Sequence, residues 1–189
     1  MISALHLILT GCGNNQDVAT NTYNTISGTV ADFTTGTVDS LKCFSYSNDL
    51  LIGTCAVSND GNFSIKLPTP SGNRIGKINN VTVSDTNAIV SNIITTKGYK
   101  NGIQKWCLYK SNSTNFSRIE IGSTILIFFY SDRDLIIKGT NIISTNKSII
   151  WNVKLRKGWN EMAMNISSDE SYSYSTTIPT GLTWRLFPI

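Results

Sequence analysis

Asp132 and Asp134 follow the most apolar stretch of the chain, and they are the pair whose spacing comes nearest to carboxylate chemistry. On an extended backbone, residues i and i+2 project to the same side. Glycosidic hydrolysis uses two carboxylates roughly 5–10 Å apart, one of them a proton-donating acid. Arg133 stands between the two aspartates, however, and nothing nearby marks an acid with a raised pKa. The competing reading is a solvated strand end, so no catalytic residue is assigned and the chain is read as a non-enzyme. Asn59, Asp60 and Asn62, or the two aspartates, could offer hard oxygen ligands to Ca²⁺. Neither run has the spacing and terminal Glu of an EF-hand, and turn chemistry accounts for residues 59–62. No metal site and no cofactor are expected.

Aromatic side chains are the other candidates. Trp106, Trp151, Trp159 and Trp184, with Tyr172 and Tyr174, could stack on sugar rings or anchor a partner if several were exposed together. Alternation places Trp106 and Trp151 in a core. Trp159, Tyr172, Tyr174 and Trp184 remain as the candidate ligand-binding set, with the polar segment around the two tyrosines read as a mobile loop. The weighed alternative buries the tryptophans as core and end-covering residues.

Cys43 and Cys55 lie symmetrically about Asp49. A hairpin with its tip near Asn48-Asp49 sets them opposite each other, where Cβ atoms are about 4.5–5.5 Å apart. A disulfide or two buried thiols both satisfy that geometry. Cys107 is then an odd thiol, read as buried.

Composition bounds the rest. Hydrophobic residues are 40 % and charged residues only 15 % of the 189, and Ser, Thr and Asn fill the difference. These suit turns and exposed strand faces and work against long helices. A net charge of +4 without any Lys/Arg run leaves no concentrated basic stripe for nucleic acid.

The elements that would position these residues read as strands. Residues 25–30 alternate with period two, and residues 41–47 and 51–57 form two arms about Asp49. Ser58-Asn59-Asp60-Gly61-Asn62 is a tight turn, after which Phe63, Ile65 and Leu67 share one face and Pro68 stops the strand. Further strand signals cover residues 77–84, 104–110, 123–131, 135–139, 148–156, 161–166 and 182–187. Residues 123–130 are apolar on both faces and should form a central strand. Lys157-Gly158-Trp159-Asn160 reads as a turn. No window shows helical period, so the expected class is all-β, an antiparallel β-sandwich or two. Pro68 to Asn73 is the best linker, dividing 25–72 from 73–189 unless 25–189 is continuous.

Three resemblances add to this. Leu9-Thr10-Gly11-Cys12, closing the apolar run from Met1, resembles a bacterial lipobox. The resemblance implies that residues 1–11 are a signal peptide, that Cys12 carries diacylglycerol, and that residues 12–24 are a tether. His6, the only histidine, would leave with the signal peptide, excluding Ser-His-Asp, Cys-His and imidazole-metal chemistry from the mature chain. Ile26-Ser27-Gly28-Thr29-Val30 and Asn59-Asp60-Gly61-Asn62-Phe63-Ser64-Ile65-Lys66-Leu67-Pro68 resemble the carboxypeptidase regulatory-like, or transthyretin-like, β-sandwich module, which implies an Ig-like sandwich and an accessory role. Tyr130-Ser131-Asp132-Arg133-Asp134, the Lys-Gly-Trp-Asn turn and Trp184 look like bacterial surface or periplasmic lipoproteins with no assigned activity.

Together these imply a lipid-anchored, non-enzymatic protein of a bacterial cell envelope that binds carbohydrate or protein. The alternatives are a structural subunit of an envelope assembly, or a hydrolase using Asp132 and Asp134. Six Asn-x-Ser/Thr triplets, beginning at Asn62, are read as chance in so polar a chain.

Overall fold

The computed structural model of the chain describes residues 24–45, 49–93, 95–113, 115, 120–168 and 171–189. Residues 1–23, and with them the lipobox, Cys12 and nearly all of the expected tether, lie outside the described residues.

All the regular elements among the described residues are strands: β1 (Thr25–Thr29), β2 (Ser40–Phe44), β3 (Leu51–Ala56), β4 (Asn62–Lys66), β5 (Asn73–Arg74), β6 (Val81–Val83), β7 (Ile89–Ile93) and β8 (Thr96–Lys100), then β9 (Ile103–Ser111), β10 (Thr124–Ser131), β11 (Leu135–Ser144), β12 (Lys147–Leu155), β13 (Gly158–Ile166), β14 (Tyr172–Ser175) and β15 (Thr183–Pro188). The class is all-β, and the antiparallel sheets are arranged in a sandwich-like way.

β10 organises the molecule because its sequence is apolar on both faces, and all eight of its residues are buried. Leu126, Phe128 and Tyr130 point into one core, shared with Ile26, Leu41, Phe63, Ile65, Trp159 and Trp184. Ile125, Ile127 and Phe129 point into a second, shared with Leu135, Ile137, Val153, Leu155, Met162 and Met164. Along one edge β10 pairs with β13 over its full length, from Thr124 opposite Asn165 to Ser131 opposite Gly158. Its other edge is divided between β9 and β7.

A large sheet runs β3-β2-β8-β9-β10-β13-β14-β12-β11-β6, with β15 on β9 and β5 on β7. One pair, β12 with β14, is parallel. The first core is closed by the separate pair β1–β4. It draws on both sides of residue 72, because Trp184 of β15 fits against Gly28 of β1 and Phe63 of β4. A Cβ at position 28 would enter the Trp184 indole ring, so the glycine is required by close approach. Val30 bridges Trp184, and the Ala31 amide donates to the Trp184 carbonyl at 2.8 Å.

Several local expectations change. Gly61 takes the expected left-handed turn at φ 78°, yet β3 and β4 do not form a ladder; β4 swings to β1, leaving Gly53 against the Lys66 carbonyl. Of the strand expected at 77–84, only Val81–Val83 is extended. Residues around Tyr172 and Tyr174 form β14 rather than a loop. Tyr174 stacks on Trp151 with centroids 4.6 Å apart, while Ser173 and Ser175 face away. Period two was present, but the polarity of the segment concealed it. β7 and β8 were missed entirely; Asn101-Gly102, both at positive φ between β8 and β9, carries the hairpin pattern that marks β8.

Candidate functional site

The two aspartates sit where β10 turns into β11, and each fastens a different stretch of backbone. Arg133 grips Asp132 with two contacts, Nε at 3.0 Å and Nη2 at 2.9 Å. Asp132 also accepts the Ile89 amide at 2.9 Å, and Arg133 reaches Asp85 at 2.8 Å. Asp134 accepts the Lys157 amide at 2.9 Å and meets Arg156 at 3.1 Å. The hydrogen bonds from Arg133, then the Ile89 amide, hold the Asp132 carboxyl below the usual range. The Lys157 amide, then Arg156, does the same for Asp134. Both are poised as anions, which is opposite to what a general acid needs. Their chemistry here is that of loop staples.

A pH dependence follows. Asp39, held low chiefly by the Asn101 amide, and Asp85, held low chiefly by the Asn87 amide, join Asp132 and Asp134. A carboxyl whose folded pKa is depressed binds fewer protons folded than unfolded near its unfolded value, about 3.9. Its stabilisation is therefore present above about pH 4 and lost as pH falls through the folded values. Melting temperature is expected to hold between about pH 7 and 5 and to drop below about pH 4. A Tm that rises on acidification through that window would contradict the stapling roles.

Cys43 and Cys55 are not directly opposite. The register puts Cys43 against Gly53 and Cys55 against Leu41, with a bulge after Cys43, so the cysteines are diagonal neighbours. The two-residue offset arises because the ladder is centred one residue earlier than the symmetric reading assumed, nearer the β2 end. Both are free thiols, as is Cys107. Burial pushes the Cys43 thiol up to about 12; it contacts the Thr96 hydroxyl at 3.2 Å.

The four candidate aromatics are not brought together. Trp159 and Trp184 are buried in the first core. Trp159 packs edge-on against Tyr130 and donates from Nε1 to the Pro68 carbonyl at 2.8 Å. Tyr172 and Tyr174 are half-buried against the second core.

Trp106, assigned to a core by alternation, does border open space. It lies in the first half of β9, where the first core opens under residues 30–37, and a cavity of about 230 Å³ lies there. Val30, Phe33 and Leu186 supply apolar wall; Asp32, Thr34 and Thr37 supply polar groups. Asp32 is held at φ 54°, an unfavourable region for a residue with a side chain, and its carboxylate meets Arg185 at 3.2 Å. Thr37 Oγ1 donates to the Thr34 carbonyl at 2.7 Å, tying the loop down. Such a mixture of aromatic wall and few fixed polar groups is what small-ligand sites share.

The chain matches no family model, no curated protein and no solved structure.

A second cavity, about 170 Å³, is lined by Ser45, residues 50–52 and residues 68–71, none of them charged. Among the described residues no group of three or more His, Cys, Asp or Glu could hold a metal ion. The signal for the larger cavity was faint in the sequence: Trp106 alternates like a core residue, and its opening depends on the distant 30–37 loop.

Proposed function

We propose that the chain is a lipid-anchored, non-enzymatic binding module of a bacterial envelope, with its first sheet pair a transthyretin-like sandwich portion, and that it takes a single saccharide residue of an envelope glycan at the Trp106 cavity. The observation that carries the binding reading is that cavity: its volume, about 230 Å³, suits one hexose, and Trp106 lines it together with Asp32, Thr34 and Thr37. An indole suits the apolar face of a sugar, and a carboxylate with threonine hydroxyls offers acceptors and donors to its hydroxyls. Anchoring rests on Leu9-Thr10-Gly11-Cys12.

Titration of envelope-derived oligosaccharides followed by calorimetry tests the binding. Trp106→Ala is expected to weaken it about tenfold, some 1.4 kcal/mol, without altering the thermal transition by more than a few degrees. Absence of binding by the parent protein rejects the saccharide reading. Intact-mass measurement on the native membrane fraction, with Cys12→Ser as control, tests the anchor; an unmodified Met1 terminus on a soluble species rejects it.

A further inference from the structure

The β11–β12 ribbon carries exposed isoleucines on the face away from the second core. Alternation sends Ile137 and Val153 inward and turns Ile136, Lys138 and Ile142 of β11 outward together with Ile150 of β12. Register sets Thr140 opposite Ile150 and Ile142 opposite Ser148, so Ile142 and Ile150 are diagonal neighbours on that face. Ile142 is 64 % exposed, and Ile143, beside the bulge near the ribbon tip, is 50 % exposed. One exposed isoleucine is ordinary, whereas a cluster on one ribbon marks an interaction surface.

Charge on this ribbon has one sign. Residues 135–155 contain Lys138, Lys147 and Lys154 and no Asp or Glu, and the flanking strands β6 and β14 carry no carboxylate either. Asp134 lies at the ribbon base, where Arg156 meets it. On the outer face Lys154 lies opposite Ile136 and Lys138 follows along β11, so that face is cationic toward its base and aliphatic toward Ile142 and Ile150.

We propose that this face seats on an anionic lipid surface, with Ile142 and Ile150 entering the headgroup layer and Lys138 and Lys154 meeting lipid phosphates. Aliphatic tips beside lysines with long stems are suited to that boundary, and juxtaposed lysines are attracted to anionic leaflets. A second copy of the chain is a poorer occupant, because a two-fold contact would set like charges together. Two strands about ten residues long offer roughly 340 Å² of face, well under the roughly 800 Å² per partner of a stable protein interface. A bilayer requires no matching contour. The contact does not depend on acylation of Cys12.

Vesicle sedimentation tests it, using the full chain with Cys12→Ser so that no acyl chain contributes. Vesicles of phosphatidylcholine with phosphatidylglycerol are compared with phosphatidylcholine alone. The protein is expected to partition at least tenfold more strongly onto the anionic vesicles, less so at high salt. The pairs Lys138→Glu/Lys154→Glu and Ile142→Ser/Ile150→Ser should each weaken that partitioning about tenfold or more with unchanged circular dichroism. Equal binding to both vesicles, no binding, or both variant pairs binding like the parent would overturn the proposal, the last by assigning binding to residues 1–11. A dimer in sedimentation velocity that Ile142→Ser/Ile150→Ser dissolves would overturn it in favour of a second copy.

Discussion

Trp184→Ala is expected to lower the unfolding free energy by about 3–5 kcal/mol, a large share of the 5–15 kcal/mol typical of a domain. The indole is buried among three elements distant in sequence. It meets Phe63 edge-on at 5.2 Å, stacks parallel to Phe128 at 6.4 Å and fills the space left by Gly28. Its removal opens a void where β1, β4, β10 and β15 converge, and residues there are held by ladders that limit collapse. The partner substitution Gly28→Val is expected to do comparable damage by overpacking, since its side chain would enter the ring. Urea denaturation of the two variants measures both effects. A loss below about 1 kcal/mol for Trp184→Ala would mean the first core closes without the C-terminal strand.

The second large effect is at Asn160, which is fully buried and lies in β13 opposite Phe129; where a turn was expected at Lys157–Asn160, the chain is already extended from Gly158. Its amide nitrogen donates to the carbonyls of Arg156 at 2.8 Å and Gly158 at 2.9 Å, and lies 3.4 Å from the Phe129 carbonyl. Its oxygen accepts the Arg156 amide at 2.9 Å. Asn160→Asp keeps the shape but turns an oxygen toward those carbonyls and buries a charge. The expected cost at pH 7 is about 3–5 kcal/mol, against about 1–3 kcal/mol for Asn160→Ala, which leaves backbone groups unpaired. Burial raises the folded pKa of the introduced carboxyl, so the penalty relative to the parent is smallest below the unfolded value near 3.9 and grows as pH rises. Guanidinium denaturation of parent and variants at pH 4 and 7 checks the sign. A pH-independent difference would show that the carboxyl finds solvent.

Parts of this arrangement were legible residue by residue. Two-sided apolarity at Ile125–Phe129 marked the central strand, because only a strand covered on both faces tolerates that sequence in water. Phe63, Ile65 and Leu67 revealed the inward face of β4 by alternation. The candidate site was hardly legible. Trp159 and Trp184 looked like platforms, and the structure buries both. Trp106 looked like core, yet it borders the cavity because the 30–37 loop and β15 approach from opposite ends of the chain.

By itself, the sequence determined the all-β class, the position of the central strand, the Gly61 turn and the alternating faces of residues 149–155 in β12. These depend on residues within about ten positions of one another, where the side-chain period and turn residues act directly. Tertiary structure alone decided strand partnership: β4 with β1 rather than β3, β14 between β13 and β12, β15 along β9 with its tryptophan against β1. A period of two states which face is apolar but not which edge it will meet. That choice is made by long-range packing, where a two-residue offset or a better-filled core outweighs any local preference. The offset between Cys43 and Cys55, the burial of Trp184 and the opening beside Trp106 all follow from that choice.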